Sequence, residues 1–229
     1  MLEETKPIVF GYVPSVLDGT EQIINEENYK SLPLPSSYSY LQFMSPIMNQ
    51  GSESTCVPHS ISAAYDYYNA MMFPATSSTE GKFSPSEISI HQIYNAKTNY
   101  GPGMSYKEAL EFCKNFGVVS EKEYLKKDLS KPRKIYNYAK VVSYLGVKQS
   151  IVINGPVMIA TYVRDLNSPA FWRGTNNYGG HATCLIGYDD AKEAFLLRNS
   201  WGTKFGNGGY VWFPYKDFKN ILEAWTIII

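Results

Sequence analysis

A chain of 229 residues can bury a full core as one domain or two small ones, and its 21 basic and 21 acidic side chains cancel. That balance gives no electrostatic case for a nucleic-acid partner or an anionic membrane surface. Three scattered histidines without ligand-spaced pairs argue against zinc, and no phosphate loop or dinucleotide fingerprint is present, so no metal and no cofactor is expected.

The first stretch, Met1-Leu2-Glu3-Glu4-Thr5-Lys6-Pro7, is acidic and lacks the apolar segment of a secretory signal. Residues 1–33 carry Pro7, Pro14 and Pro33, which rule out one continuous helix. They read as an extended N-terminal arm ahead of a main unit spanning 34–229. Its apolar patch (Ile8, Val9, Phe10, Tyr12, Val13) needs cover. The expectation is that it packs on the body of the protein rather than filling a cleft.

The next segment, Gln50-Gly51-Ser52-Glu53-Ser54-Thr55-Cys56, is a polar loop ending on a cysteine that opens an apolar run. Val57, Ile61, Ala64, Tyr65 and Tyr68 recur at helical spacing, and Pro58 is tolerated in a first turn. A helix N-terminus favours thiolate over thiol, and its free N–H groups can donate to an oxyanion, with the Gln50 amide adding a donor. The plainer reading is a turn followed by a helix with a small buried residue near its start.

Pro74 ends that helix. Ser84-Pro85 predicts another, to about Lys97, and Ser105 caps a third over residues 106–116, stopped by Gly117. One more helical stretch covers 142–154 and ends at Gly155-Pro156. Strand-like runs follow at 157–163, 182–188, 195–198, 210–213 and 225–229, separated by Gly, Asn and Asp clusters. The last is too short to span a bilayer. A helical half over about 50–141 and a strand-rich half over about 142–229 predict an α+β fold with a cleft between two subdomains. Cys113 lies in a helical pattern and Cys184 in a strand, so both read as core residues, which fits a reducing compartment or a chain expressed without its export signal.

Two later motifs carry chemistry: Gly179-Gly180-His181-Ala182-Thr183-Cys184-Leu185-Ile186-Gly187-Tyr188, and Arg198-Asn199-Ser200-Trp201-Gly202 with Asn207-Gly208-Gly209-Tyr210 beyond it. Together with the Gln50–Cys56 step they occur in the order and at the spacing that resemble the papain-like cysteine peptidases, from about Leu34 onward. The resemblance implies the papain-like fold, with a helical subdomain packed against a β-barrel-like one. It also implies a cysteine-type endopeptidase working through a thioester on Cys56. His181 is the expected general base and acid, Asn199 orients its ring under Trp201, and Gln50 completes the oxyanion site. A ligase or transamidase on the same residues, or an inactive binding protein of this fold, are the alternatives.

By the same resemblance Gly103, Met104, Ala160, Gly180, Ala182 and Leu222 should line the substrate cleft, with an uncharged second subsite that prefers an apolar side chain. Val57 departs from the family's usual Trp, and Glu53 stands where secreted members carry a bridging cysteine. These features resemble short, disulfide-free microbial or viral members. The expected partner is a peptide or protein substrate, with no nucleic acid and no membrane, and the chain is expected to be a cytoplasmic or virion-associated monomer. His59, three residues past Cys56, is read as a satisfied helix histidine, because a base on the same helix leaves no room for substrate. His91 is read as a surface residue.

Overall fold

The structure is a computed structural model that describes residues 10–24, 26–29, 33–72, 88–98, 101–163, 172 and 179–228. Its centre is helix α1 (Cys56–Met72), buried along its whole first part because residues 54–68 face other elements on every side. The apolar positions that predicted the helix are the ones it packs, with Val57, Ile61 and Tyr65 fully enclosed. Helices α2 (Ile90–Asn95), α3 (Tyr106–Asn115) and α4 (Glu121–Leu125) complete this half. Ser105 caps α3 as expected, accepting from the Glu108 N–H. The cap expected at Ser84-Pro85 lies outside the described residues; α2 starts at Ile90 with Ser89 as its cap. Helix α4 was not anticipated, although Ser120 and Glu123 form a reciprocal capping box.

The other half is one mixed sheet. Its strands are β1 (Ile23–Ile24), β2 (Ser37–Ser39), β3 (Asn137–Val141), β4 (Val157–Tyr162), β5 (Gly180–Asp189), β6 (Ala194–Arg198), β7 (Tyr210–Pro214) and β8 (Ile221–Ile228). The order is β1-β3-β8-β4-β5-β6-β7, with β2 added to β5. Helix α5 (Tyr144–Ile153) connects β3 to β4. Strands β4 to β7 follow the expected runs closely, β8 begins at Ile221, ahead of the run expected from 225, and β1, β2 and β3 are additions, β3 within the half read as helical. Two-residue β1 escapes detection because it is too short for any period, yet it pairs in parallel with β3 and buries Ile24.

Helix α1 lies on β5, and polar contacts join the two halves. The Ser60 hydroxyl donates to the Thr183 carbonyl at 2.5 Å. The Tyr106 hydroxyl reaches Ser60 Oγ at 2.8 Å and the Ile159 carbonyl at 2.9 Å. These partners satisfy groups in an otherwise apolar core. They set the start of α1 directly against the start of β5.

Candidate active site

The start of α1 places Cys56 where the first residues of β5 arrive. The sulfur is enclosed and is acted on by the backbone N–H groups of Ala182, Gly11, Val57 and Cys56 itself. The helix start favours the thiolate, as its position predicted. In this closed arrangement burial outweighs those N–H groups and pushes the thiol up to about 11. The expected low-pKa thiolate is therefore not what this state holds.

His181 sits beside Ala182 on β5 and is fully buried. Its Nε2 meets Asn199 Oδ1 at 2.8 Å. The Ser200 backbone N–H also donates to that oxygen at 2.8 Å, so the atom is the amide oxygen rather than its nitrogen. Nε2 must then carry the proton, which leaves Nδ1 as the acceptor nitrogen. Nδ1 is buried without a hydrogen-bond partner. Burial is the main cause that drops the His181 pKa to about 4, against the opposing Asn199 contact.

Trp201 stacks on the imidazole with ring centroids 4.5 Å apart. Trp172, which no sequence pattern marked, lies nearly parallel to the same ring at 6.0 Å and packs against Trp201. The short run Pro169-Ala170-Phe171-Trp172 followed by Arg173-Gly174 gives no periodic signal.

Gln50 is held from two sides. Its Oε1 accepts from the Ser200 hydroxyl at 2.6 Å, and its Nε2 donates to the Glu53 carbonyl at 3.0 Å. The Gln50 N–H donates to the Ser200 carbonyl, and the Gly202 N–H to that of Met48, so this loop is laced to the segment carrying Asn199. Behind it, Arg198 donates to the carbonyls of Ser45 and Pro46 and to Ser45 Oγ. The buried carboxylate of Asp66 accepts from the Ser45 N–H and hydroxyl. This bracing between β6 and α1 was not legible beforehand, because it joins residues distant in sequence.

Gln50, Cys56, His181, Asn199 and Trp201 are thus brought together. His59 is bound within its own helix turn, its Nδ1 2.8 Å from the Thr55 carbonyl, and His91 is half exposed beside Glu121. Ala160 and Ala182 are register partners across β4 and β5.

Leu222 departs from expectation. The β4–β8 ladder pairs Ala160 with Glu223 and then Thr161 with Ile221, so Leu222 is the extra residue of a bulge and is partly exposed. Glu223 instead pairs with Ala160, so a carboxylate stands among the residues expected to line an uncharged subsite.

Several of those residues are covered by the chain's own arm. Tyr12 bridges to Met104, packs on Gly180 and donates its hydroxyl to Glu223 Oε1 at 2.6 Å. Phe10 sits edge-on to His181 and Trp201, at 6.2 and 6.4 Å between centroids. Part of the arm joins the body through β1, which was not anticipated, while Phe10 and Tyr12 of its apolar patch lie at the cleft, against expectation, and Ile8 and Val9 fall outside the described residues.

Among the described residues no cluster of His, Cys, Asp or Glu could hold a metal ion, and no helix is long and apolar enough to cross a membrane.

The family model for papain family cysteine proteases matches residues 41–222. An uncharacterized peptidase C1-like protein of Acanthamoeba polyphaga mimivirus is 23% identical over 93% of this chain and 76% of its own length. Among solved structures, xylellain, a cysteine protease from Xylella fastidiosa, aligns over 100% of this chain and 98% of its own with a TM-score of 0.76 at 22% identity. A Carica candamarcensis cysteine protease in complex with E-64 aligns over 85% of this chain and 99% of its own, with a TM-score of 0.69 at 20% identity.

Proposed function

Because the chain belongs to the papain family of cysteine proteases and is a cysteine peptidase, we propose that it cleaves internal peptide bonds through a thioester on Cys56. The observation carrying this reading is the His181–Asn199 pair, which leaves an acceptor nitrogen buried and unpartnered. Once a peptide displaces the arm, Nδ1 takes the Cys56 proton and the thiolate attacks the carbonyl carbon. The developing oxyanion is met by the Cys56 backbone N–H, with Gln50 alongside. The imidazolium then protonates the leaving amine as the C–N bond breaks. In the second half the same nitrogen activates water against the thioester, releasing the acid. Asn199 holds the ring tautomer, and the cover of Trp201 keeps water off that hydrogen bond.

The substrate's second subsite is expected to take a side chain that ends in a donor, such as tyrosine or a basic residue, because Glu223 closes it. The substrate is a peptide or protein, acted on by a monomer, with neither nucleic acid nor membrane involved.

The test is hydrolysis of a fluorogenic peptide library, with the products analysed in the presence and absence of an added amine. Free acids in both conditions support a peptidase. Amide products dominating with the amine point instead to acyl transfer, and intact peptide throughout points to a binding protein.

A further inference from the structure

A cavity of about 530 Å³ lies between the loop over residues 45–53, helix α1 and the segment that leads into α2. Gln50 forms part of its wall, but Cys56, His181 and Asn199 do not, so it adjoins the catalytic residues without containing them. Its size is that of a site for a small organic molecule. We propose that this cavity binds a small organic cation, an ammonium or amidinium group carried on an apolar body. The proposal is independent of the peptidase reading.

The walls fit the apolar body. Pro46, Ile47 and Met48 enter from the loop, and Ile88 and Ile90 from the segment that starts α2. Helix α1 contributes Ser62, which is buried and too small to fill the space between these elements.

The mouth fits the charge. Glu53, His91 and Glu121 line the cavity as well, and each side chain is partly exposed. His91 Nδ1 lies 2.7 Å from Glu121 Oε1, and its Nε2 lies 3.7 Å from Glu53 Oε2, so one imidazole spans two carboxylates. No Lys or Arg lines the cavity among the described residues. A chain that is neutral as a whole is therefore acidic here. A cation meets complementary charge at this mouth, and an anion meets repulsion.

The floor adds a further acceptor. His59 is buried and lines the cavity. Its Nδ1 lies 2.8 Å from the Thr55 carbonyl, which can only accept, so Nδ1 carries the proton. Burial is the main cause that lowers the His59 pKa, so the ring is neutral near neutral pH. Nε2 keeps its lone pair and has no hydrogen-bond partner among the described residues. Carboxylates at the mouth and an imidazole nitrogen at the floor all accept, and a matching ligand brings N–H donors. These groups form no metal cluster among the described residues, which leaves an organic cation as the occupant they suit.

The probe is phenethylamine, an arylalkyl ammonium at neutral pH, compared with the neutral phenethyl alcohol and the anionic hydrocinnamate. The full chain carries isotope-labelled methionine methyl groups and is followed by nuclear magnetic resonance. The Met48 and Met104 signals are identified by their loss in Met48→Leu and Met104→Leu. Titration with the amine should move the Met48 signal to saturation and leave that of Met104, which lies against the arm at the substrate cleft, in place. The alcohol and the acid should bind at least about tenfold more weakly, as expected on losing a charge-assisted hydrogen bond. Glu53→Gln combined with Glu121→Gln should weaken the amine by a similar factor. Circular dichroism checks that this variant is folded, and should it fail to fold, the three probes on the unaltered chain decide alone. No saturating shift at Met48, equal binding of the three probes, or full amine affinity in the folded double variant overturns the site. A shift at Met104 alone puts the amine in the substrate cleft and overturns it too. The readout is binding and not turnover, so failure here leaves the peptidase reading standing, and a chain that hydrolyses no peptide can still uphold this site.

Discussion

The hydroxyl of Tyr12 donates to the carboxylate of Glu223 at 2.6 Å, joining the arm to β8, an interior strand of the sheet between β3 and β4. Glu223 also accepts from Ser15 and from the Trp225 indole N–H, so the carboxylate is held in place and mostly enclosed. A rigid acceptor at the base of a subsite selects for donors, because a ligand without one leaves a buried polar group unpaired. With the arm shortened to Ser15, peptides bearing Tyr, Lys or Arg at the second position should be cleaved about tenfold or more better than those bearing Glu. Glu223→Ala should flatten that preference. A profile of kcat/KM over the library checks both, and a preference for acidic side chains would remove Glu223 from this role.

Cys56→Ala should lower peptide turnover by at least about three orders of magnitude, as expected on losing a covalent route. Cys113→Ala and Cys184→Ala should keep the chemistry, since both thiols are buried and are held well above the ordinary thiol range mainly by burial. The measurement is turnover by the shortened chain, in which access is not limiting. Full activity in the Cys56 variant is incompatible with the proposed mechanism.

His181→Ala should abolish turnover, with general acid–base catalysis alone worth about two to four orders of magnitude. Asn199→Ala should cost less, because Asn199 fixes the tautomer and touches no reacting atom. His59→Ala should shift the melting temperature while sparing kcat, since His59 is bound to the turn of its own helix. If His59 proved indispensable while His181 did not, the pairing across the cleft would be wrong.

The thiol should ionise at different pH with and without residues 10–12 over it. In the closed cleft burial pushes Cys56 up to about 11 despite the surrounding N–H groups. Removing residues 10–12 returns water to the sulfur while the helix N-terminus remains, so the midpoint should fall. Alkylation rate against pH, read with a small neutral haloacetamide, should rise at lower pH in the shortened chain. Coincident profiles would contradict this account.

Asp66 predicts a stability effect of definite sign. Burial is the largest cause that raises its pKa from 3.8 to about 6, against Ser45 and Arg198. In the pH window between those values the folded chain keeps the proton that the unfolded chain has released. The contribution of this group is therefore present below pH 4 and is lost as pH rises through about 6. Asp66→Asn lacks that titration. The stability difference between wild type and variant should change across this window, moving in the variant's favour as pH rises, and be flat above it. Urea unfolding of the two proteins at several pH values measures it.

Much was legible from local pattern. The 3.6-residue period of α1, the caps, the glycine breaks and the ordered motifs around Cys56, His181 and Asn199 all depend on neighbours a few residues away, and local physics enforces them. Chain order alone placed the nucleophile on one half and the base on the other. What tertiary structure decided lies where distant segments meet. The bulge at Leu222 turned Glu223 inward, and one extra residue in a period-two strand exchanges the two faces without changing the composition that a reader of the sequence sees. Trp172 reached His181 from a stretch with no periodic signal. The arm's apolar patch was visible, but its destination depended on the width of a gap between Ser54 and Gly103 that only Gly11 can cross. That gap is set by the packing of α1 against β5 and by the loop carrying Gly103, all far from residue 11 in the chain. The same closure decided the protonation of the site: the helix start favours a thiolate, and enclosure of the sulfur, to which the arm contributes, reverses it.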